Sequence, residues 1–322
     1  MKLIFAADII RHGDRATIHK MPKVSTAWKE EELGNLTSKG RMDAIQVGKD
    51  FKKYYVDANS LLPYSFQPEA IQIRSTDFQR TIETARGVMR GMYPSQSETI
   101  PITIVPKQED LLLLGLACVA CKDMQSLTRA RYNYSPNLSK ATIREILSEL
   151  EKINDKFGTS LNDIDDIVKL ADIINTSRIH NKPLLKKISD KEVEQIFRLR
   201  DLVFIDMFGS PNAACLGASD LMKQILTTMA DKIRNKMPLK YMLFSAHDIN
   251  ILCILSLLDL PLDTSPYLSN IRFELFEQGS AKFFVRILYR NSPLKVVSEE
   301  FCPFEQWKAL IGAKLKKKCG LG

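Results

Sequence analysis

The stretch that decides the fold is MKLIFAADIIRHGDR, residues 1–15. Within it, Leu3–Ile10 is a continuous apolar, β-prone run bounded by charge, the pattern of a central strand buried on both faces. RHGDR, Arg11–Arg15, stands at its C-terminal end. Open α/β sheets take ligands beyond the carboxyl ends of their strands, so chemistry is expected here. One Lys ahead of an apolar stretch also resembles the start of a signal peptide. The run leads straight into charge without a small-residue cleavage site, which fits a buried strand.

Working outward, Met42, Ile45, Val47 and Phe51 recur at roughly helical spacing between Thr37 and Tyr54. Ile71–Arg74 reads as a second strand, Thr76–Met92 as an amphipathic helix and Pro101–Val105 as a third strand. This β-α-β-α-β alternation predicts an α/β fold, a three-layer sandwich around a mainly parallel sheet. From 108 to 218 the sequence turns helix-prone and charge-rich (Ala141–Phe157, Ile164–Ile174, Asp190–Phe208). That stretch is expected to be an inserted, mostly helical cap domain. The α/β pattern resumes with helix Ser219–Asn235, strand Tyr241–Ser245, helix Ile249–Leu258, and strands Ile271–Phe276 and Ala281–Tyr289 about a turn at Gln278–Gly279. The core is thus expected from 1–107 plus 219–322.

Composition bounds the function classes. With 322 residues, 45% hydrophobic and 26% charged, the chain is neither disordered nor low-complexity. No apolar run approaches the ~18 residues of a membrane span. Lys and Arg number 46 against 38 Asp and Glu, a formal charge of +8, but the two signs are interspersed. Interspersed charge argues against nucleic acid, while the net positive potential still favours small anions such as phosphates. The basic run Lys314–Lys318 fits the solvated end of a C-terminal helix. Six cysteines permit up to fifteen connectivities in an oxidising compartment. Cys118 and Cys121 form a CxxC without the further ligands of a zinc site, so structural thiols or bridges are expected.

Three motifs carry chemistry, each directly after a strand. In RHGDR the guanidiniums of Arg11 and Arg15 repel a further proton on His12, keeping its imidazole neutral and nucleophilic, and offer donors to phosphate oxygens. The carbonyl of Gly13 is a suitable acceptor for the other ring N–H. In RSTDFQRT, 74–81, Arg74 emerges at the same sheet edge to add a third guanidinium. Asp77 and Arg80, at i and i+3, read at least as well as a helix-terminal salt bridge. In SAHDIN, 245–250, His247 can donate to a phosphate, and Asp248 can protonate a departing alkoxide. Taken alone, Asp248 reads as a helix cap. His19 and His180 read as solvated or structural.

These motifs, in this order and spacing, resemble the histidine acid phosphatases, branch 2 of the histidine phosphatase superfamily. GNLTSKG at 34–40, VPKQEDLLL at 105–113 and FFVRILYRN at 283–291 also resemble the family, the last its prostatic-type members. The resemblance implies hydrolysis of phosphate monoesters through a covalent phosphohistidine on His12. It implies Asp248 as general acid and then base, phosphate binding by Arg11, Arg15, Arg74 and His247, and no metal or other cofactor. Activity at acidic pH follows, because Asp248 must hold a proton to donate it. Cys121, Cys302 and Cys319 lie near family-like cysteine positions, with the pairing open. The resemblance further suggests a periplasmic or secreted protein whose leader is absent from this chain, and a possible homodimer through an edge strand such as Ala281–Tyr289.

Broad specificity is expected, with a leaving-group pocket from Ile18–Trp28 and the cap. A phytase-like preference is the first alternative, for which Lys20, Lys23 and Lys29 would line the pocket. A phosphoglycerate-mutase-like activity would need its acid elsewhere. A non-catalytic anion-binding module would be expected to lack His12 or Asp248, and both are present.

Overall fold

The computed structural model describes residues 1–114, 138–235, 237–279, 282–295 and 299–320. The strand read from the opening run is β1, Lys2–Arg11. The others are β2 (Ile71–Thr76), β3 (Thr103–Val105), β4 (Tyr241–Ala246), β5 (Asn270–Gln278), β6 (Lys282–Tyr289), β7 (Ser292–Pro293) and β8 (Cys302–Pro303). They form one sheet in the order β3-β2-β4-β1-β5-β6-β7, with β8 also on β6. The half from β3 to β1 is parallel, and β5 joins β1 antiparallel as the start of a hairpin with β6.

Alternation along β1 assigns its two faces. Phe5, Ala7 and Ile9 pack on one side against α7 (Pro211–Asn235), α8 (Asp248–Leu257) and α9 (Phe304–Cys319). Leu3, Ala6 and Ile10 pack on the other against α1 (Ser38–Lys52) and α2 (Gln79–Met92). The result is helix, sheet, helix, as the period of the pattern predicts. The two helices of the second layer approach closely where side chains are absent: a Cβ at Gly91 would lie 2.2 Å from the Ile45 carbonyl oxygen.

After the short helix α3 (Leu111–Leu114), helices α4 (Lys140–Phe157), α5 (Ile164–Ile179) and α6 (Asp190–Phe208) build a separate apolar cluster. Ile146, Leu170, Ile196 and Val203 are among its buried members, together with Val24 from the loop after β1. Sequence signals set the ends of these helices. Ser139 caps α4, Gly158 ends it in a left-handed turn, and Ser189 with Glu192 closes a capping box on α6.

Two expectations need adjustment. Helix α7 begins at Pro211 rather than Ser219, because Pro suits a first helical position and the following alanines continue the turn. Strand β6 is not an edge. Its outer side pairs with the two-residue strands β7 and β8 at Leu288–Tyr289 and Phe284–Val285. Cys215 and Cys319 form a disulfide that staples α7 to α9, while Cys253 and Cys302 are free and buried. Cys118 and Cys121 lie outside the described residues. No described helix is long and apolar enough to cross a membrane.

Candidate active site

Strands β1 and β4 run parallel in register up to Arg11 and Ala246, so RHGDR and the His247–Asp248 pair leave the sheet side by side. The amide of His12 continues the ladder by donating to the Ala246 carbonyl at 3.0 Å. The turn after it is pinned to both helices of one layer. Gly13 N–H donates to Thr84 Oγ1 at 2.9 Å, and Thr37 N–H donates to the Asp14 carbonyl at 3.0 Å. Gly40 is required beneath this turn, since a Cβ there would sit 2.1 Å from the Asp14 carbonyl oxygen.

The His12 ring is buried, and its Nδ1 lies 2.9 Å from the Gly13 carbonyl oxygen. A carbonyl can only accept, so Nδ1 carries the hydrogen and the neutral ring keeps its lone pair on Nε2. Burial, then Arg11, Arg15, Arg80 and His247, hold the pKa of His12 well below the ordinary histidine value. The ring is therefore unprotonated in mildly acid solution.

Three guanidiniums surround it. Arg11 extends over Tyr267 at 4.4 Å, donates to the Ser265 carbonyl, and pairs with Asp248 through Nη2 at 2.8 Å. Arg15 pairs through Nη1 with Asp172 at 3.0 Å. The third is Arg80, not Arg74. Burial and the neighbouring Arg15 push the pKa of Arg80 down to about 10, and Arg80 acts on both His12 and His247. Arg74 is not brought into the cluster: its Nη2 donates to the fully buried Asp110 at 2.6 Å. The Nε atoms of Arg11, Arg15 and Arg80 are buried without hydrogen-bond partners, as is that of Arg74. Crowded like charges of this kind mark a place for an anion.

His247 occupies the N-cap of α8, with its amide donating to Asn250 Oδ1 at 3.1 Å. Burial and Arg80 push its pKa down to about 3, so it too is neutral. Its Nε2 lies 3.0 Å from Thr76 Oγ1, which is 2.8 Å from Thr81 Oγ1. This buried hydroxyl pair orients the ring, and its edge meets Phe78 at 5.1 Å and His12 at 5.6 Å between centroids. Asp248, the first residue of α8, faces Arg11 and is partly open to solvent.

The helical cluster reaches the same loop. Asp172 of α5 accepts from Arg15, from Thr17 Oγ1 at 2.8 Å and from Ile18 N–H at 3.0 Å. Arg15 and these donors lower its pKa against the effect of its burial. His180 Nε2 lies 2.6 Å from Asp14 Oδ2, and its ring packs against Trp28, the structural role of the two expected. His19 lies by Asp172 and Arg15, with its pKa lowered by burial. Sequence reasoning missed Arg80, Asp172, Thr76, Thr81 and Tyr267. Arg80 lay within a quoted motif, and only the orientation of α2 separates it from Arg74.

The described geometry agrees with sequence comparison. The family profile "Histidine phosphatase superfamily (branch 2)" matches residues 2–290. This chain belongs to that superfamily. Among its members, human lysosomal acid phosphatase is 28% identical over 313 residues, covering 90% of this chain and 71% of the relative. Human prostatic acid phosphatase is 26% identical over 342 residues, 97% of this chain and 85% of the relative. The solved phytase of Citrobacter braakii shares the histidine phosphatase fold with a TM-score of 0.76 at 17% identity, covering 98% of each chain. The multiple inositol polyphosphate phosphatase of Bifidobacterium longum, in complex with inositol hexasulfate, superposes with a TM-score of 0.68 at 11% identity, covering 97% of this chain and 92% of the other.

Proposed function

We propose that this chain is an acid phosphatase that hydrolyses phosphate monoesters through a phosphohistidine on His12, with broad specificity. The observation that carries the reading is His12 itself. It is a neutral imidazole with Nε2 freed by the Nδ1–Gly13 contact, set among three guanidiniums and beside Asp248.

In this reading Arg11, Arg15, Arg80 and His247 hold the phosphoryl oxygens and neutralise the charge that grows on them. His12 Nε2 forms a bond to phosphorus as the ester P–O bond breaks, and the departing oxygen takes the proton of Asp248. Water then attacks the phosphoryl group and yields a proton to the Asp248 carboxylate. The P–N bond breaks, phosphate leaves, and His12 is restored. Arg11 links binding to acid catalysis, because a phosphate drawn to its Nη2 competes for the donor that holds Asp248 at 2.8 Å.

The loop 18–28 would wall the leaving group from one side. It is anchored to the helical cluster by Val24, by Leu185 N–H donating to the Val24 carbonyl at 2.9 Å and by Lys182 on the Ala27 carbonyl at 2.7 Å. We propose that 108–218 acts as the cap over this side. A lumenal or extracellular setting is supported by the Cys215–Cys319 bridge and by the lysosomal relatives; within that, a periplasmic or secreted location is our reading. The lysines that would favour inositol phosphates are partly committed elsewhere, Lys20 to Glu30 and Lys23 to the Gly158 carbonyl.

Turnover of 4-nitrophenyl phosphate and of a simple alkyl phosphate at acidic pH tests the proposal. Asp248→Asn should lower the alkyl ester's kcat by about 10²–10⁴-fold and spare the activated ester more. Equal losses on both esters would remove Asp248 from the role of acid.

A further inference from the structure

One cation near the candidate site has no role in binding the transferred phosphate. Lys107 follows β3, at the same carboxyl edge of the sheet as RHGDR and the His247–Asp248 pair. Its Nζ lies 4.2 Å from the centroid of the Phe78 ring. Arg80 lies over the same ring with Cζ at 4.4 Å, and that ring in turn meets His247 edge-on at 5.1 Å. Phe78 therefore joins Lys107 to the phosphate cluster. His12 takes its own ring contacts from His247 and Tyr267 and is buried, whereas Phe78 meets His247 and is half-buried.

The Lys107 side chain is exposed, and among the described residues no carboxylate comes within ion-pair distance of it. The acidic neighbour at Asp110 is already taken by Arg74. An aromatic face holds an ammonium in place without neutralising it. The charge stays available to something arriving from solvent, and it adds to the positive potential of a cleft already rich in guanidiniums.

We propose that Lys107 forms a subsite for a second negative charge on the leaving group, so that phosphate monoesters carrying a further carboxylate or phosphate are favoured over singly anionic ones. The inference rests on the phosphatase reading above and names the substrate class for it. It assigns the selectivity to Lys107 rather than to Lys20 and Lys23 of the 18–28 loop, both of which already have partners.

The test compares kcat/KM for phenyl phosphate with that for 3- and 4-carboxyphenyl phosphate in the wild type, Lys107→Met and Lys107→Glu. Taking the ratio of carboxylated to plain ester, and comparing it between variants, cancels differences in intrinsic leaving-group reactivity. An exposed pair in such a cleft predicts a ratio about three- to fivefold lower in Lys107→Met and lower again in Lys107→Glu. Raising the ionic strength should lower the wild-type ratio toward that of Lys107→Met. Ratios that are the same in all three proteins overturn the subsite while leaving the phosphatase reading intact. No turnover of any of these esters by the wild type overturns that reading and the subsite with it.

Discussion

Two clusters of charge sit in the same sheet, and they are built on opposite plans. Inside it, the fully buried Asp8 accepts from Tyr55, Tyr241, Asn270 and Arg272. Beside it the equally buried Glu274 accepts from Tyr54 and Arg286. Burial raises the pKa of Glu274 while Arg286 and Arg272 hold it down. Carboxylates and guanidiniums balance there, as a buried network must if it is to be tolerated. At the strand ends, Arg11 pairs with Asp248 and Arg15 with Asp172, Arg80 has no carboxylate at ion-pair distance among the described residues, and each of the three keeps an unpartnered Nε. A saturated network serves the fold; an unsaturated, cation-rich one is prepared for an anion.

The comparison can be broken most severely at its arginines. Arg80→Gln should cut kcat/KM for an aryl phosphate by about 10²–10³-fold with the fold intact. Arg74→Gln should leave turnover per folded molecule within a few-fold and instead cost stability, because the buried Asp110 loses its ion-pair partner and keeps only the Leu113 N–H. Steady-state kinetics beside denaturant melts separate the two, and the reverse pattern would restore Arg74 to the site. Asp8→Asn should destabilise by about 3 kcal/mol, since Arg272 loses the nearer of its two buried counter-charges and keeps only Glu274 at 3.9 Å, with little change in turnover of the folded fraction. A kinetic loss without a stability loss would mean the two clusters are coupled.

Smaller effects sharpen the contrast. Thr76→Val removes the hydroxyl beside His247 Nε2, and about a tenfold fall in kcat/KM, recovered by Thr76→Ser, would show that the contact orients the ring. The pH dependence of stability has a definite sign. His247, with its pKa at about 3, and His12, also lowered, stay neutral in the folded state while the unfolded chain takes up protons below about 6.5. Stability in phosphate-free buffer should therefore fall as pH drops through that window, by about 2 kcal/mol from His247 at pH 5, with His12 adding in the same direction. His247→Asn should narrow the gap between melting temperatures at pH 7 and pH 5 by a few degrees. An unchanged gap would show that His247 does not contribute.

The sequence is most legible where local pattern and function coincide. The apolar run of β1 and the motif at its end place His12, and the motif after β4 places His247 and Asp248. Periodicity also yields the three layers and the helical stretch. It fails where the answer depends on which way an element faces. Arg74 and Arg80 share one motif, yet β2 sends the first to Asp110 and α2 sends the second to His12. Asp172 stands in an ordinary amphipathic helix far along the chain, and no local signal ties it to Arg15. The covering of β6 was hidden for a different reason: two-residue strands such as β7 and β8 are too short to show a period.

The central claim is that His12 becomes phosphorylated. Mixing the protein with excess ³²P-labelled phenyl phosphate, quenching rapidly in denaturing base and mapping the labelled peptide tests it most directly. The account predicts base-stable label on the segment containing His12, chasable by unlabelled substrate and absent from His12→Ala. Label on another residue, or steady turnover in His12→Ala, would contradict it.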